Sequence, residues 1–288
     1  MFEPIPLLFH RRWSLKGSRE LLLLSCLGLL FLGIAASQVP DKKYAILDNA
    51  TVARFRNSAA EPTVMLDLNL ARLKPSLISD DQPFLNYFIM LNNCGDMTMF
   101  RALKSEFDYP AMAGFYKGKA TEILGSLSLP VGIMSPSYFL GDYDAARRSF
   151  PFVGYGRPGA PRKTVKLDSL TIGADRRGLP CGNAVQVATS VRLNGVLSDL
   201  GPVYIVKFRD NNEFAELPMD EQHAREYVEG LRGAGRMVTL LIDFEVLPQA
   251  PGLTTVSGVA NITLSGEIKK VTAVKTTMRN VVLGTLYP

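Results

Sequence analysis

The chain has 288 residues, of which 47% are hydrophobic and 20% charged, and a formal net charge of +5. So much apolar content with so few charges excludes a disordered chain, and the length suffices for one large domain or two small ones. Three cysteines exclude a disulfide-dense mini-fold, and only two histidines, His10 and His223, argue against histidine-rich metal sites and histidine-based catalysis.

In chain order, the first strong signal is Leu21 to Pro40, LLLLSCLGLLFLGIAASQVP, which carries no charge. A helix of about 20 apolar residues crosses the bilayer core, so residues 21–40 read as a transmembrane anchor. Residues 1–20 form a basic arm in which Arg11, Arg12, Lys16 and Arg19 outweigh Glu3 and Glu20. The excess of positive charge keeps that arm in the cytoplasm and places the bulk of the chain in the periplasm, outside a bacterial inner membrane. The alternative is a cleavable signal peptide. Leu21 to Ile34 would be its apolar region, Ala35-Ala36-Ser37 would precede the cut, and the product would be a soluble periplasmic protein. The long arm and the full spanning length favour the anchor, with Cys26 an ordinary apolar residue of it. Residues 41–288 keep 28 basic and 25 acidic side chains, a net +3 that leaves no nucleic-acid footprint.

Residues 41–63 read as an irregular connector. Residues 64–160 read as a helical subdomain. Within it Leu66, Leu68 and Leu70 alternate with Asp67 and Asn69, which predicts a short extended segment. Asp81 and Pro83 then open a helix over Phe84 to Asn92, and Asp96 caps a second over Met97 to Phe107. A third runs from Ala111 to Leu127 with Phe115, Ile123 and Leu124 inward. Residues 128–162, rich in Pro and Gly, mark the boundary between halves.

Residues 161–288 read as a β-rich subdomain. Strands are predicted around Val165 to Ile172, Val185 to Leu193, and Val203 to Phe208, the last followed by a turn at Asp210-Asn211-Asn212. Asp220 caps a helix whose Ala224, Tyr227, Val228 and Leu231 share one face. Strict alternation from Val238 to Val246 gives the best strand, and Val259 to Leu264 and Ile268 to Val274 give two more around a turn at Ser265-Gly266. The fold class is α+β: a helical subdomain packed on a mostly antiparallel sheet with one inserted helix.

Cys94 and Cys181, in Asn-Asn-Cys-Gly and Leu-Pro-Cys-Gly, are the two cysteines of the exported part. In an oxidising compartment they are candidates for one disulfide; the other reading is two separate buried thiols.

No motif assigns a catalytic residue, a metal ligand or a cofactor. Gly154-Tyr155-Gly156-Arg157-Pro158-Gly159 satisfies G-x-G-x-x-G, but a strand pattern follows where dinucleotide binding needs a helix, so it reads as a turn. His223, among Asp220, Glu221 and Glu226, lacks a second His or Cys at ligand spacing and reads as a solvated surface residue. Asp142 and Asp144 are neighbours in one turn, whereas glycoside hydrolysis needs carboxylates across a cleft, so a hydrolase is the least favoured reading. Tyr138, Phe139, Tyr143, Arg147, Arg148, Phe150, Phe152 and Tyr155 are the interaction candidates, since aromatics with arginine anchor interfaces. The competing reading makes these aromatics a plug between helices and sheet.

Asn93-Cys94, Ser105-Glu106-Phe107, Phe139 to Asp144, Phe150-Pro151-Phe152, and Leu217-Pro218-Met219-Asp220 leading into Ala224 together resemble a pattern in a family of uncharacterised exported bacterial proteins. The likeness spans about half of the chain. It implies a periplasmic domain and brings no activity with it. The expectation is a non-catalytic, membrane-anchored periplasmic domain that serves as an accessory or scaffold subunit of an envelope complex. A periplasmic glycan- or peptide-binding module is the alternative.

Overall fold

The computed structural model describes residues 44–55, 58, 60–94, 96–157, 159–173, 181, 192–193, 196–197, 202–231, 235–257 and 259–287. The chain divides into two units, Met1–Tyr44 and Ala45–Pro288. The anchor and signal-peptide expectations both fall on residues 1–43, outside the described residues. No helix among the described residues is long and apolar enough to cross a membrane.

The second unit opens with helices α1 (Asn49–Phe55), α2 (Glu61–Leu73), α3 (Ser76–Asp80), α4 (Gln82–Asn92), α5 (Met97–Ala102) and α6 (Tyr109–Ser126). The expected connector over 41–63 therefore contains α1 and the first turn of α2. Asp81 caps α4 by accepting the Phe84 amide at 2.9 Å, and Asp96 accepts the Thr98 amide at 2.8 Å at the start of α5. Helix α5 ends at Ala102, short of the expected Phe107.

Where the sequence predicts an extended segment over Leu66 to Leu70, the structure has α2. Pro62 in its first turn suits a helix start. Every residue from Thr63 to Ala71 is buried, so the alternation of leucine with polar residues does not report a wet and a dry face. Asp67 is 1% exposed and receives the Tyr204 hydroxyl at 2.5 Å. Asn69 is fully buried and donates to the carbonyls of Met65 and Leu129. A polar side chain is tolerated at such depth only when its hydrogen bonds are met, and here the Asp67–Tyr204 bond also fastens the helix to β6.

The sheet is mixed and nearly closed. Its strands are β1 (Val131–Leu140), β2 (Ser149–Val153), β3 (Val165–Gly173), β6 (Val203–Phe214), β7 (Glu216–Pro218), β8 (Met237–Val246), β9 (Gly252–Val256), β10 (Val259–Lys275) and β11 (Met278–Tyr287). Arg192–Leu193 (β4) and Val196–Leu197 (β5) form a separate two-stranded ladder. The main path runs β3-β6-β10-β8-β1-β2-β7, and β9 and β11 also pair with β10. Every pairing is antiparallel except β6 with β10. Near closure shows at Gly284 of β11, where an added Cβ would stand 3.2 Å from both the Leu217 side chain and the Pro218 carbonyl of β7. One helix, α7 (Glu221–Glu229), lies between β7 and β8, with Asp220 accepting the His223 amide.

Three further expectations change. Residues 128–162 hold two strands, β1 and β2; Pro136 hides β1 from pattern reading and lies within its bulge between Met134 and Ser137. The turn expected at Asp210-Asn211-Asn212 is inside β6, which bulges there: Leu167 faces Asn212 while Ser169 faces Lys207. The turn expected at Ser265-Gly266 is absent, because β10 runs unbroken through it. Gly266 serves close packing instead, as a Cβ there would lie 2.8 Å from Val206 Cγ1 and 3.1 Å from the Phe208 ring. The strand expected over Val185 to Leu193 lies outside the described residues, apart from its last two in β4.

The core contains the inward row of β8, Val238, Leu240, Ile242 and Phe244, all at 0% exposure, together with Leu66 of α2, Phe88 of α4 and Tyr116 of α6; α2 packs on β1, and α6 packs on α2 and α4. On α6, Ile123 and Leu124 are buried as expected, Phe115 is half-buried, and Met112 and Tyr116 fill the interior. Cys94, after α4, and Cys181 are joined by a disulfide with Cα atoms 4.5 Å apart.

Candidate functional site

The aromatic segment divides by depth. Phe150 and Phe152 of β2 are at 0% and 1% exposure. Their rings meet Tyr143, Tyr227 and Tyr138 at centroid distances of 5.1, 5.7 and 6.0 Å. This chain of edge and tilted contacts joins β1, the β1–β2 loop, β2 and α7. Tyr143 is tied further, donating its hydroxyl to the Met219 carbonyl at 3.0 Å. Tyr138 and Phe139 are half-buried, and burial raises the Tyr138 hydroxyl pKa. Phe139 packs under Gly156, where a Cβ would approach its ring to 2.8 Å. Tyr155, Arg147 and Arg148 are the members of the set that face solvent.

The same segment builds a cleft of about 440 Å³, lined by the end of β1 at Leu140 and Gly141, by Pro151 and Val153 of β2, and by the loop from Gly156 to Arg162. Gly235 and Arg236, just before β8, close its far side. The loop is pinned at its base by a bridge between Val153 and Arg162 and by the Gly154 amide donating to the Pro161 carbonyl. Gly159 sits at φ +74°, in the left-handed region that suits glycine. The chain passes from this loop into β3, so the G-x-G-x-x-G string opens no helix and makes the turn the sequence indicates.

Charge in the cleft comes from arginine. Arg236 donates to the Gly141 carbonyl at 3.1 Å and to Asp142 at 2.5 Å. Asp144 lies 3.4 Å from Arg162 and 3.8 Å from Arg147, and Arg147 is also 3.6 Å from Glu216. Asp142 and Asp144 are thus each engaged by arginine rather than set opposite one another.

A second feature lies between α7 and β11. Met219, His223, Glu226, Tyr227, Lys275 and Val282 are among the residues around a niche of about 180 Å³. Burial pushes the Tyr227 hydroxyl up to about 12, so it stays protonated at neutral pH. His223 is exposed, and its ring lies 2.5 Å from Asp220. That hydrogen bond and the carboxylate charge raise the His223 pKa above 6.5, and the His223 amide chiefly lowers that of Asp220. No group of three potential metal ligands occurs among the described residues. Beside the niche, β11 exposes Met278, Val281 and Val282 at 55, 38 and 62%.

Sequence reading missed Arg157, Arg162 and Arg236 as neighbours, because Arg236 joins them only through the β1–β8 pairing. It also missed the apolar edge of β11, whose one signal was the pair Val281-Val282 in a tail without a clear period. No protein-family model matches the chain, and comparisons with curated proteins and with solved structures find no match. The fold and site define an α+β domain with a nearly closed mixed sheet, an arginine-lined cleft and an apolar sheet edge.

Proposed function

We propose that the protein is a non-catalytic accessory or scaffold subunit of a bacterial envelope complex. In this reading residues 21–40 hold it in the inner membrane, residues 1–20 stay in the cytoplasm, and the helices and sheet stand in the periplasm. The observation that carries the reading is the exposure of three apolar side chains, Met278, Val281 and Val282, on β11, a strand whose hydrogen-bonded partner is β10. Ahead of Gly284, where β7 closes on the strand, these exposed apolar side chains suit the addition of an extended segment, and the niche beside them can take one anchoring side chain of the same partner. The partner is an extended segment of another envelope protein. The Cys94–Cys181 disulfide supports the periplasmic placement, since such bonds persist in oxidising compartments.

The test is site-specific photocrosslinking in intact cells, with the reactive residue placed at Val282 and, as control, at Lys166 of β3. One discrete crosslinked species from Val282 but not Lys166, lost with Met278→Asp, supports the reading. A solitary monomer in gently solubilised membranes, with no crosslink from Val282, overturns it.

A further inference from the structure

We infer that the cleft between the β1–β2 loop, the Gly154–Arg162 loop and Arg236 is a binding site for a phosphate-type oxyanion carried by a small polar molecule. Three arginines line it, Arg157 and Arg162 from one loop and Arg236 from just before β8. Several forked donors around one space suit a tetrahedral oxyanion, which offers more acceptor oxygens than a carboxylate. Residues 140–163 carry five basic and two acidic side chains, a net +3 equal to that of the whole of residues 41–288. Of these, Arg157, Arg162 and Asp142 line the cleft, and with Arg236 its charged lining is three arginines against one carboxylate.

Arg236 already engages one carboxylate at this cleft. The carboxylate of Asp142 already lies on the Arg236 guanidinium, yet its own side chain is 82% exposed. It is held by that one contact rather than by packing, so it acts as an internal competitor that a better-charged ligand displaces. Among the described residues Arg157 makes no ion pair, so its fork is open to the ligand. Arg162 lies 3.4 Å from Asp144 and its side chain is 58% exposed. The Gly-rich loop lets backbone approach the ligand, with Gly159 supplying the left-handed step. This site is separate from the β11 edge, so either proposal can fail alone.

Binding is measured by titration calorimetry on the full chain in non-ionic detergent, with inorganic phosphate and glycerol 3-phosphate as probes, and by flotation with phosphatidylglycerol against phosphatidylcholine vesicles. The parent binds at least one phosphate-bearing probe with a Kd below about 10 mM. Arg157→Gln and Arg236→Gln each weaken it by about tenfold or more, the loss of one charge-assisted contact. Asp142→Asn tightens it severalfold by removing the competitor. Arg147→Gln, which faces Asp144 and Glu216, leaves it unchanged. Saturation by the soluble probes alone assigns a soluble ligand, and arginine-dependent flotation alone assigns a lipid headgroup. No binding to any probe, or an Asp142→Asn affinity equal to the parent's, overturns the inference. Should Arg236→Gln not fold, as judged by its melting curve, exposed Arg157 carries the test.

Discussion

Reduction of the Cys94–Cys181 bond is the sharpest perturbation available, because it alters only the two cysteines. The two cysteines are 87 residues apart in sequence and close a long loop. In the chain-entropy treatment a loop of that size restricts the unfolded chain by about 4.6 kcal/mol at 25 °C. For a domain of this size each kcal/mol moves the midpoint by roughly 2–4 °C, so full reduction lowers it by about 9–18 °C. The assay is differential scanning calorimetry of the full chain with and without dithiothreitol, with thiols counted after unfolding to verify the redox state. The Cys94→Ala, Cys181→Ala double variant falls at least as far, because Cys181 is 6% exposed and its loss also opens a small void. A shift below about 2 °C on complete reduction refutes the reasoning, since it would mean that the crosslink restrains nothing the unfolded chain explores.

The remaining predictions concern the interior and one exposed pair. Tyr204→Phe leaves buried Asp67 short of a donor and destabilises by about 1.5–3 kcal/mol in urea unfolding, whereas Asp67→Asn keeps an acceptor for the hydroxyl and costs less; equal costs would show that the bond has no special weight. Gly266→Ala forces a Cβ toward Val206 and Phe208 and costs about 1–3 kcal/mol by the same measurement; an unchanged midpoint would mean the two strands can part at no cost. In NMR, His223 titrates above 6.5 and returns toward that value in Asp220→Asn. The sign follows from linkage: the raised His223 pKa contributes stability fully present below 6.5 and lost as pH rises through the folded value. The lowered Asp220 pKa contributes stability present above 3.8 and lost as pH falls, so the pair contributes most between those limits.

What the sequence discloses depends on whether a residue's neighbours are local. Asp81, Asp96 and Asp220 announce helix starts because their acceptors meet amides two or three residues ahead. The alternation from Val238 to Val246 announces β8 because its inner face is uniformly apolar. Helix α2 defeats the same reasoning, since the partner of Asp67 is 137 residues away in β6 and that of Asn69 is 60 residues away. A polar residue satisfied at long range looks, in sequence, like a polar residue facing water. Gly266 misleads in the same manner, as a glycine needed by Val206 on the neighbouring strand carries the signature of a turn. The cleft is half legible: Gly154 to Arg162 stands out as a string, but Arg236 belongs to it only after the sheet has formed.

Strand β10 is 17 residues long, about 56 Å of nearly continuous backbone. Its first half pairs with β6 and β9, its second with β8 and β11, and among the described residues it is the strand that connects β3-β6 to β8-β1-β2-β7. It is a splint across two small sheets. Neither half can slip register or detach while β10 stays whole, so amide exchange along its length should slow uniformly rather than fall into two classes. For the same reason a one-residue insertion between Val259 and Lys275 turns every later side chain to the opposite face and undoes one half of the sheet, whereas the loops around it have room to lengthen.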